Sequence, residues 1–550
     1  MSLASEIAGR LLGLPEPATR DVAVERDLPV PMSDGVVLLA DRHHPRGGGD
    51  RLPTVLVRSP YGRRGLYGLI YGRLLAERGF QVLVQSVRGT FSSGGSLDPF
   101  DERADGLATV TWLRRQPWYG GTFATAGPSY LGIAQWALAP EAGPELRAMA
   151  PSITASEFRS HTYGGEAFSL ESAVGWTLTI KLQETVLGPL RQFVALRRKL
   201  PAVMDHLPLR DLDRLAVGET VPFFQAWLEH DQPGDPYWER RDASATVGEV
   251  RAPVSIVTGW HDIFLPWTLR DHEQLRAAGR DVQLTIGPWG HLAPPLLRES
   301  LRQTVAWLRA HLLDDRRLVR RAPVRFFVGG AEEWREGPEW PPAGSRPERW
   351  HLRASGGLTR EAPAEPGADT YRYDPADPTP SIAGPSLTDL SKPKDNRPLE
   401  ARADVLAYTS APLEGELEAI GPVSAELWVR STLEHFDVFV RLCDVDPAGR
   451  SWNVCDAIRR IAPGGPAPEA DGALRISVDL WPTAHRFVTG HRLRVLVASG
   501  AHPRYARNPG SGEPLATATT LRAGERTVLH APERPSAVVL PVAGADVGVS

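Results

Sequence analysis

The sequence predicts an α/β core that is interrupted by a helical insertion and followed by an all-β domain. Two observations support this fold class. Short apolar runs alternate with helical periodicity in residues 22–151 and 250–320, which is typical of a parallel sheet covered by helices. From about residue 320 helical periodicity nearly disappears. β-rich runs separated by Gly, Pro, Asp and Asn follow, and these indicate a β-sandwich or jelly roll.

The first part of the core contains strands of the fully buried type. The runs 54–58 and 80–85 are apolar along most of their length, whereas a strand with one face in water would alternate. Helical spacing follows in residues 71–78 and 101–115. A brief strand at 123–127 then leads into another helix, so the order of elements is that of a doubly wound sheet.

The pattern changes in the middle of the chain. Helical stretches such as 178–200 and 221–230 dominate there, and they predict an inserted helical cap. The β/α rhythm resumes with strand runs at 254–258 and 282–286, each followed by a helix. The predicted boundaries are 1–151 and 250–320 for the two parts of the core, 152–249 for the cap and 321–550 for the jelly roll.

Charge and cysteine content exclude several classes of protein. The 550 residues carry 62 Lys and Arg against 66 Asp and Glu, so the net charge of −4 shows none of the basic excess of a nucleic-acid binder. Two cysteines, Cys443 and Cys455, cannot form a disulfide framework, and two lone thiols do not make a metal site. We interpret them as small buried hydrophobic residues in a reducing compartment.

The N-terminal segment does not resemble a secretion signal. Glu6 and Arg10 fall where a signal peptide would begin its apolar run. The chain also contains no uncharged apolar stretch of 18 residues, which is the length that a membrane-spanning helix needs. We therefore expect a cytoplasmic protein without a membrane partner.

The segment Gly127-Pro128-Ser129-Tyr130-Leu131-Gly132 has the sequence of a nucleophile elbow. A strand precedes it and a helix follows it, and its Gly-x-Ser-x-x-Gly spacing is a variant of the pattern that places a serine on a tight strand-to-helix turn. Small residues are needed because strand and helix approach closely there. Such a turn exposes the serine hydroxyl and directs backbone N–H groups towards a reacting carbonyl.

A nucleophilic serine requires a base, and the base requires an orienting carboxylate. In doubly wound hydrolases the chain order is Ser, then Asp or Glu, then His. The strand at 254–258 is followed by Gly-Trp-His-Asp, which ends at Asp262, and the strand at 282–286 by Gly-Pro-Trp-Gly-His, which ends at His291. Both residues thus occupy carboxyl ends of predicted parallel strands, where such sites form.

Other residues compete for these roles. His261 adjoins Asp262, while Asp271 lies inside a helical run and Asp281 precedes its strand, so neither aspartate is at a carboxyl end. The main alternative for Asp262 is that it caps the following helix. For His291 the alternative is an ordinary surface or core histidine.

These segments, with the three-part organisation, resemble the cocaine esterase-like (CocE/NonD) family of serine hydrolases, along nearly the whole chain. This family is related to X-Pro dipeptidyl peptidases, glutaryl acylases and α-amino-acid ester hydrolases. Further matching segments are Arg58-Ser59-Pro60-Tyr61-Gly62, Gln85-Ser86-Val87-Arg88-Gly89, Leu480-Trp481-Pro482-Thr483-Ala484, Gly490-His491-Arg492-Leu493 and His502 to Asn508. Ser86 departs from the pattern, because the family usually carries Asp there, and this affects local hydrogen bonding rather than the chemistry.

The resemblance implies roles for four further residues. Tyr61 would donate its hydroxyl to the oxyanion, and the backbone N–H of Tyr130 would be the second donor. Trp176 and Phe264 match positions that line the acyl pocket in this family, although the residues by themselves are equally compatible with core aromatics. Without the resemblance, Tyr61 would pass as an ordinary aromatic residue in a turn.

We therefore expect a serine hydrolase that cleaves carboxylic esters of small molecules through an acyl-enzyme, without a metal or cofactor. Amides are an alternative substrate, as in X-Pro dipeptidyl peptidases or acylases. No acid follows Asp262 in Ile263-Phe264-Leu265-Pro266-Trp267, and this disfavours substrates with a free amino group. An alternative of another class is a carbohydrate-binding protein with a vestigial hydrolase domain. A homodimer is compatible with the sequence.

Overall fold

The computed structural model describes residues 3–47, 51–185, 187–387 and 393–544. Its first part contains strands β1 (Val22–Pro31), β2 (Val37–Pro45), β3 (Thr54–Ser59), β4 (Gln81–Ser86), β5 (Phe123–Pro128) and β6 (Leu146–Ser152). The helices of this part are α1 (Leu3–Leu11), α2 (Gly65–Tyr67), α3 (Leu74–Ala76), α4 (Arg103–Leu113) and α5 (Tyr130–Leu138). A π-helical turn, Gly68–Arg73, joins α2 to α3.

The insertion that follows is mostly helical. It contains α6 (Arg159–Thr162), the short hairpin β7 (Tyr163–Gly164) and β8 (Ala167–Phe168), and then α7 (Leu170–Leu182), α8 (Gly188–Val194), α9 (Leu200–Val203), α10 (Leu212–Val217), α11 (Pro222–Glu229) and α12 (Pro236–Glu239). The single helix expected over 178–200 is therefore interrupted. The sequence Gly188-Pro189 opens a new helix, since proline fits the first turn of a helix but not its interior.

The chain then returns to the first sheet. It adds β9 (Val254–His261), α13 (Leu265–Ala277), β10 (Val282–Gly290), α14 (Pro294–Leu312), β11 (Val324–Val328) and β12 (Glu333–Gly337). The described strands form a ten-stranded sheet in the order β1-β2-β4-β3-β5-β6-β9-β10-β11-β12. Strands from β4 to β11 in this order are parallel, and the antiparallel pairs lie at the two edges.

The order of this sheet creates a crevice at one point. From β3 the chain crosses to β4 on one side and later to β5 on the other, so the carboxyl ends of β3 and β5 are adjacent and their connections diverge. Ligand sites of open α/β sheets lie at such switch points. Every residue of β3, β4 and β9 is buried, which explains why apolar residues occupy the middle of these strands on both faces.

The C-terminal part is mostly β-structure. Its strands are β13 (Arg346–Arg353), β14 (Gly357–Thr359), β15 (Gly367–Tyr373), β16 (Leu406–Thr409), β17 (Leu417–Ser431), β18 (Phe436–Val445), β19 (Ser451–Ile461), β20 (Leu474–Phe487), β21 (Arg492–Ala498), β22 (Gly524–Ala531), β23 (Arg534–Pro535) and β24 (Ala537–Val542), with one short helix, α15 (Arg397–Glu400). Long β17 pairs with β20, β22 and β24 and so connects these three strands within one sheet. The predicted fold class, an α/β-hydrolase core with a C-terminal all-β domain, is confirmed.

One feature of the topology differs from the predicted division of the chain. Strands β11 and β12 belong to the first sheet although they follow residue 321, where we expected the β-domain to begin. The cause is pairing, because Leu284–Ile286 of β10 align with Val324–Phe326 of β11 in parallel. A short β-run has no periodicity that tells which sheet it will join. The four domain boundaries themselves stay predictions.

Candidate active site

The predicted nucleophile lies on a strained turn. Ser129 follows β5 directly and precedes α5, and its backbone has φ 55° and ψ −124°. A non-glycine residue in this conformation costs of order 1–3 kcal/mol, and such strain concentrates at functional sites. The turn is held by hydrogen bonds from Ser129 N to the Ser152 carbonyl at 2.9 Å and from Thr154 Oγ1 to the Ser129 carbonyl at 2.8 Å.

Two glycines make this turn sterically feasible. Gly127 has φ 136°, and a Cβ atom added there would lie 2.6 Å from Cβ of Leu131. A Cβ atom on Gly132 would lie 2.5 Å from Cγ2 of Thr154. The elbow motif thus reflects close contact of the first turn of α5 with its own strand and with the chain after β6.

The structure brings the three residues predicted for the triad together. His291 Nε2 is 3.1 Å from Ser129 Oγ, and His291 Nδ1 is 2.7 Å from Asp262 Oδ2. Asp262 is fully buried and His291 is 5% exposed. Ser129 follows β5, Asp262 follows β9 and His291 follows β10. Ser129 and His291 are 162 residues apart in the sequence, yet the fold brings them within hydrogen-bond distance.

Asp262 is not the N-cap of α13, a position that Phe264 occupies, but it stabilises the turn before that helix. Its Oδ1 accepts a hydrogen bond of 2.8 Å from Phe264 N, just before α13 begins at Leu265. One carboxylate oxygen therefore fixes the local turn while the other orients His291. Because the turn already fixes the Asp262 carboxylate, the side chain loses less conformational entropy when it orients the imidazole.

The competing residues are engaged elsewhere. Burial is the main cause that lowers the pKa of His261 to about 4, and the charge of Asp456 in the β-domain acts against this shift. Asp271 accepts hydrogen bonds from Ser156 N and Oγ at 2.9 and 2.6 Å. Asp281 lies before β10, at the end of the strand opposite His291.

The Tyr61 hydroxyl is placed to act as a donor at the site. It follows β3 and accepts a hydrogen bond of 3.1 Å from Trp176 Nε1, so its own proton is not needed for that contact. Burial raises the pKa of Tyr61, while hydrogen bonds to Trp176 and Ser129 act in the opposite direction. The hydroxyl is therefore protonated at neutral pH and contacts the predicted nucleophile.

Tyr130 is fixed by a buried polar group that the sequence did not reveal. Its hydroxyl donates to Glu102 Oε1 at 2.6 Å and accepts from Phe100 N at 3.1 Å. Glu102 is in turn paired with Arg58 at 2.6 Å. The ion pair therefore supports the Tyr130 side chain through Glu102, and its other member, Arg58, lies three residues before Tyr61 in the chain. Glu102 belongs to no recognisable motif, so the sequence gives no signal for this role.

Trp176 and Phe264 both line a cavity that opens at Ser129. The cavity comprises about 470 Å³ including its mouth, and other aromatic residues on its wall are Phe100, Phe158 and Trp227. The Trp176 and Tyr130 rings stack at 6.0 Å with an angle of 2° between their planes. Phe264 meets the His291 ring edge-on at 5.6 Å. None of the described residues on the wall is Asp, Glu, Lys or Arg.

Sequence reasoning missed part of this wall. Phe100, Phe158, His161 and Trp227 come from a core loop, from the start of the cap and from α11. They share no spacing that a sequence reader could detect. The signal available was only the aromatic content of the insertion.

Within the described ranges, no three or more His, Cys, Asp or Glu side chains are grouped as metal ligands. Cys443 and Cys455 are buried, free thiols, and burial raises the pKa of Cys443 to about 12. No described helix combines the length and the apolar character required to cross a membrane.

Comparison with known proteins shows which family this chain resembles. Residues 34–293 match the X-Pro dipeptidyl-peptidase (S15 family) model, and residues 318–539 match the X-Pro dipeptidyl-peptidase C-terminal non-catalytic domain. Cocaine esterase from Rhodococcus sp. (strain MB1 Bresler) is 30% identical over 569 residues, which cover 94% of this chain and 98% of that protein.

Solved structures show the same fold along the whole chain. An α-amino acid ester hydrolase superposes with a TM-score of 0.81 at 21% identity, covering 96% of this chain and 98% of the other. A CocE/NonD family hydrolase from Staphylococcus aureus superposes with a TM-score of 0.70 at 16% identity, covering 97% and 100%. Since the similarity to the Rhodococcus protein extends from end to end, this chain belongs to the CocE/NonD family of serine hydrolases, with the S15 X-Pro dipeptidyl-peptidase-like catalytic domain and its C-terminal β-domain.

Proposed function

We propose that this protein is a serine esterase that hydrolyses carboxylic esters of small, uncharged acyl groups through an acyl-enzyme. One observation carries the proposal: hydrogen bonds run continuously from Ser129 through His291 to Asp262, and Ser129 lines a largely apolar cavity. A hydroxyl, an imidazole and a buried carboxylate in this order are the parts of nucleophilic acyl transfer.

In the proposed mechanism each group has one role. As Ser129 Oγ attacks the ester carbon, its proton passes to His291 Nε2, and Asp262 stabilises the imidazolium. The carbonyl oxygen becomes an oxyanion, which accepts hydrogen bonds from the Tyr61 hydroxyl and the Tyr130 N–H. Collapse of this intermediate expels the alcohol, which takes the proton from His291. Water then attacks the acyl-enzyme with His291 as base, and the carboxylic acid and Ser129 are released.

The wall of the cavity favours esters over peptides with a free N-terminus. An ammonium group needs a carboxylate partner when it leaves water. The described wall residues provide none, and the segment after Asp262 continues as apolar residues. The similarity to cocaine esterase, a protein named for an ester, points in the same direction. Amide hydrolysis is the second candidate, and the match to the X-Pro dipeptidyl-peptidase model favours it.

The test is Ser129→Ala assayed with p-nitrophenyl butyrate. We expect the rate to fall to background, and we expect the wild-type enzyme to incorporate a fluorophosphonate probe that the variant does not. Ser355→Ala, which changes an exposed serine of the β-domain, is the matched control and should retain the wild-type rate. Hydrolysis by Ser129→Ala at the wild-type rate would refute the assignment.

Two further measurements separate the alternatives. Turnover of an Ala-Pro-anilide faster than that of simple esters would replace the esterase by a dipeptidyl peptidase. Binding of glycans by a wild-type protein that does not react with the fluorophosphonate would support the carbohydrate-binding alternative.

A further inference from the structure

One polar ring on the wall of the acyl cavity is not accounted for by the mechanism. His161, at the end of the short helix α6, is 6% exposed and contributes to the wall of the cavity. Its Nδ1 is enclosed and has no hydrogen-bond partner among the described residues, while the Ile263 backbone supplies a hydrogen bond to the ring. A buried imidazole nitrogen without a partner costs free energy unless a ligand supplies the missing hydrogen bond.

The His161 ring is held in place by its neighbours. Its centroid lies 4.4 Å from that of Phe264 and 5.3 Å from that of Trp267, which meets it edge-on. Burial, followed by the nearby His291, lowers the pKa of His161 to about 3. The ring is therefore neutral at physiological pH, and a neutral imidazole offers one donor and one acceptor but no charge.

The hydroxyl groups on the same wall are not equivalent. Ser169 Oγ donates to the His161 carbonyl at 2.7 Å, and Thr162 Oγ1 donates to the Phe158 carbonyl at 3.0 Å, so both protons are used. Ser172 is half-buried and lies one turn of α7 before Trp176. It also lines the cavity, and its hydroxyl bonds to no described residue. His161 and Ser172 thus form a polar end in a cavity with aromatic sides.

We propose that His161 and Ser172 determine acyl specificity by binding an uncharged hydrogen-bonding substituent, such as a hydroxyl, on the acyl group. The Phe264 ring contacts the rings of both His161 and His291, with 4.4 and 5.6 Å between centroids, so the polar end of the cavity and the catalytic base share one aromatic neighbour. Hydroxyaryl acyl groups carry such a substituent on an aromatic ring. The inference rests on the esterase function and names the acyl class for the same site.

The geometry also excludes charged substituents. No described wall residue carries a charge that could pair with a carboxylate or an ammonium group, and His161 is neutral. A purely apolar acyl group would enter the cavity but leave the His161 nitrogen unpaired. A site built around a buried polar group discriminates against analogues that lack its partner.

The experiment compares p-nitrophenyl 4-hydroxybenzoate with p-nitrophenyl benzoate, each kcat/KM divided by the rate of hydroxide-catalysed hydrolysis. We expect the wild type to favour the hydroxy ester by about 5- to 10-fold, the range of one net hydrogen bond. His161→Phe, which keeps an aromatic ring, should abolish this preference. His161→Gln, which restores a hydrogen-bonding group, should recover part of it. Ser172→Ala should reduce it about 2- to 5-fold.

p-Nitrophenyl acetate is the internal control, because its methyl group is too short to reach His161. Its turnover should change less than twofold in all three variants, while His206→Phe, which alters a partly exposed histidine of the cap, should change none of the ratios. An equal ratio of hydroxybenzoate to benzoate in the wild type and in His161→Phe would overturn the proposal. This failure is distinct from loss of the esterase function itself, which acetate turnover by the wild type and by Ser129→Ala reports.

Discussion

The Tyr61 hydroxyl provides the sharpest test of the oxyanion hole. Tyr61→Phe removes one oxygen atom and preserves the ring, which stacks on Tyr67 at 5.3 Å between centroids. In the structure the Trp176 N–H donates to this oxygen, so the single tyrosine proton is not needed for that contact. Two donors are available to the oxyanion, the Tyr61 hydroxyl and the Tyr130 N–H, and the substitution deletes one.

The expected loss follows from when this hydrogen bond forms. Negative charge reaches the carbonyl oxygen only in the transition state, so the donor stabilises that state more than bound substrate. Removing one preorganised donor lowers kcat by about 10²–10³-fold, equal to about 2.7–4 kcal/mol. KM should change by no more than about threefold, because an interaction made only in the transition state alters kcat rather than ground-state binding.

The assay measures kcat and KM separately with p-nitrophenyl butyrate, together with the thermal midpoint of each variant. Tyr67→Phe is the matched control, since it deletes a buried hydroxyl from the stacked neighbour and should leave kcat near the wild-type value. A decrease of less than tenfold in Tyr61→Phe would refute the role of this donor. So would an equal loss in Tyr67→Phe, because it would indicate a general disturbance of packing.

Four further substitutions test the remaining parts of the site and the core. Asp262→Asn should lower kcat about 10⁴-fold with the fold intact, because the imidazole then takes the wrong tautomer; steady-state kinetics with circular dichroism checks this. Glu102→Gln should lower the free energy of unfolding in urea by about 3–5 kcal/mol, since it leaves the buried Arg58 without its counter-charge. Gly127→Ala should reduce both activity and the thermal midpoint, because its Cβ would lie 2.6 Å from Cβ of Leu131. Burial raises the pKa of Asp271 from 3.8 to about 7, so the folded state binds this proton more tightly than the unfolded state and the free energy of unfolding should fall as pH rises from about 4 to 7; Asp271→Asn should remove that part of the pH dependence in urea titrations.

Much of the site was predictable because its residues occupy fixed positions in the fold pattern. Ser129, Asp262 and His291 each follow an apolar strand run, and strand ends of a parallel sheet converge at one edge. The structure brings these three into contact, and it places Tyr61 beside Ser129. Two features of the fold were not predicted. The interruption between α7 and α8 depends on one proline, and the membership of β11 in the first sheet depends on which strand it pairs with.

The chain sequence by itself determined the class of fold, the elbow and the order of the three triad candidates. These features depend on local periodicity, on small residues in a turn and on residues that follow strands, all of which are properties of short segments. Only the tertiary structure decided what surrounds them. Glu102 beneath Tyr130 and His161 beside Phe264 come from segments with no shared spacing, and their partners are set by how the cap packs on the sheet. The physical reason is that a hydrogen bond between distant residues depends on a three-dimensional approach that local sequence does not encode.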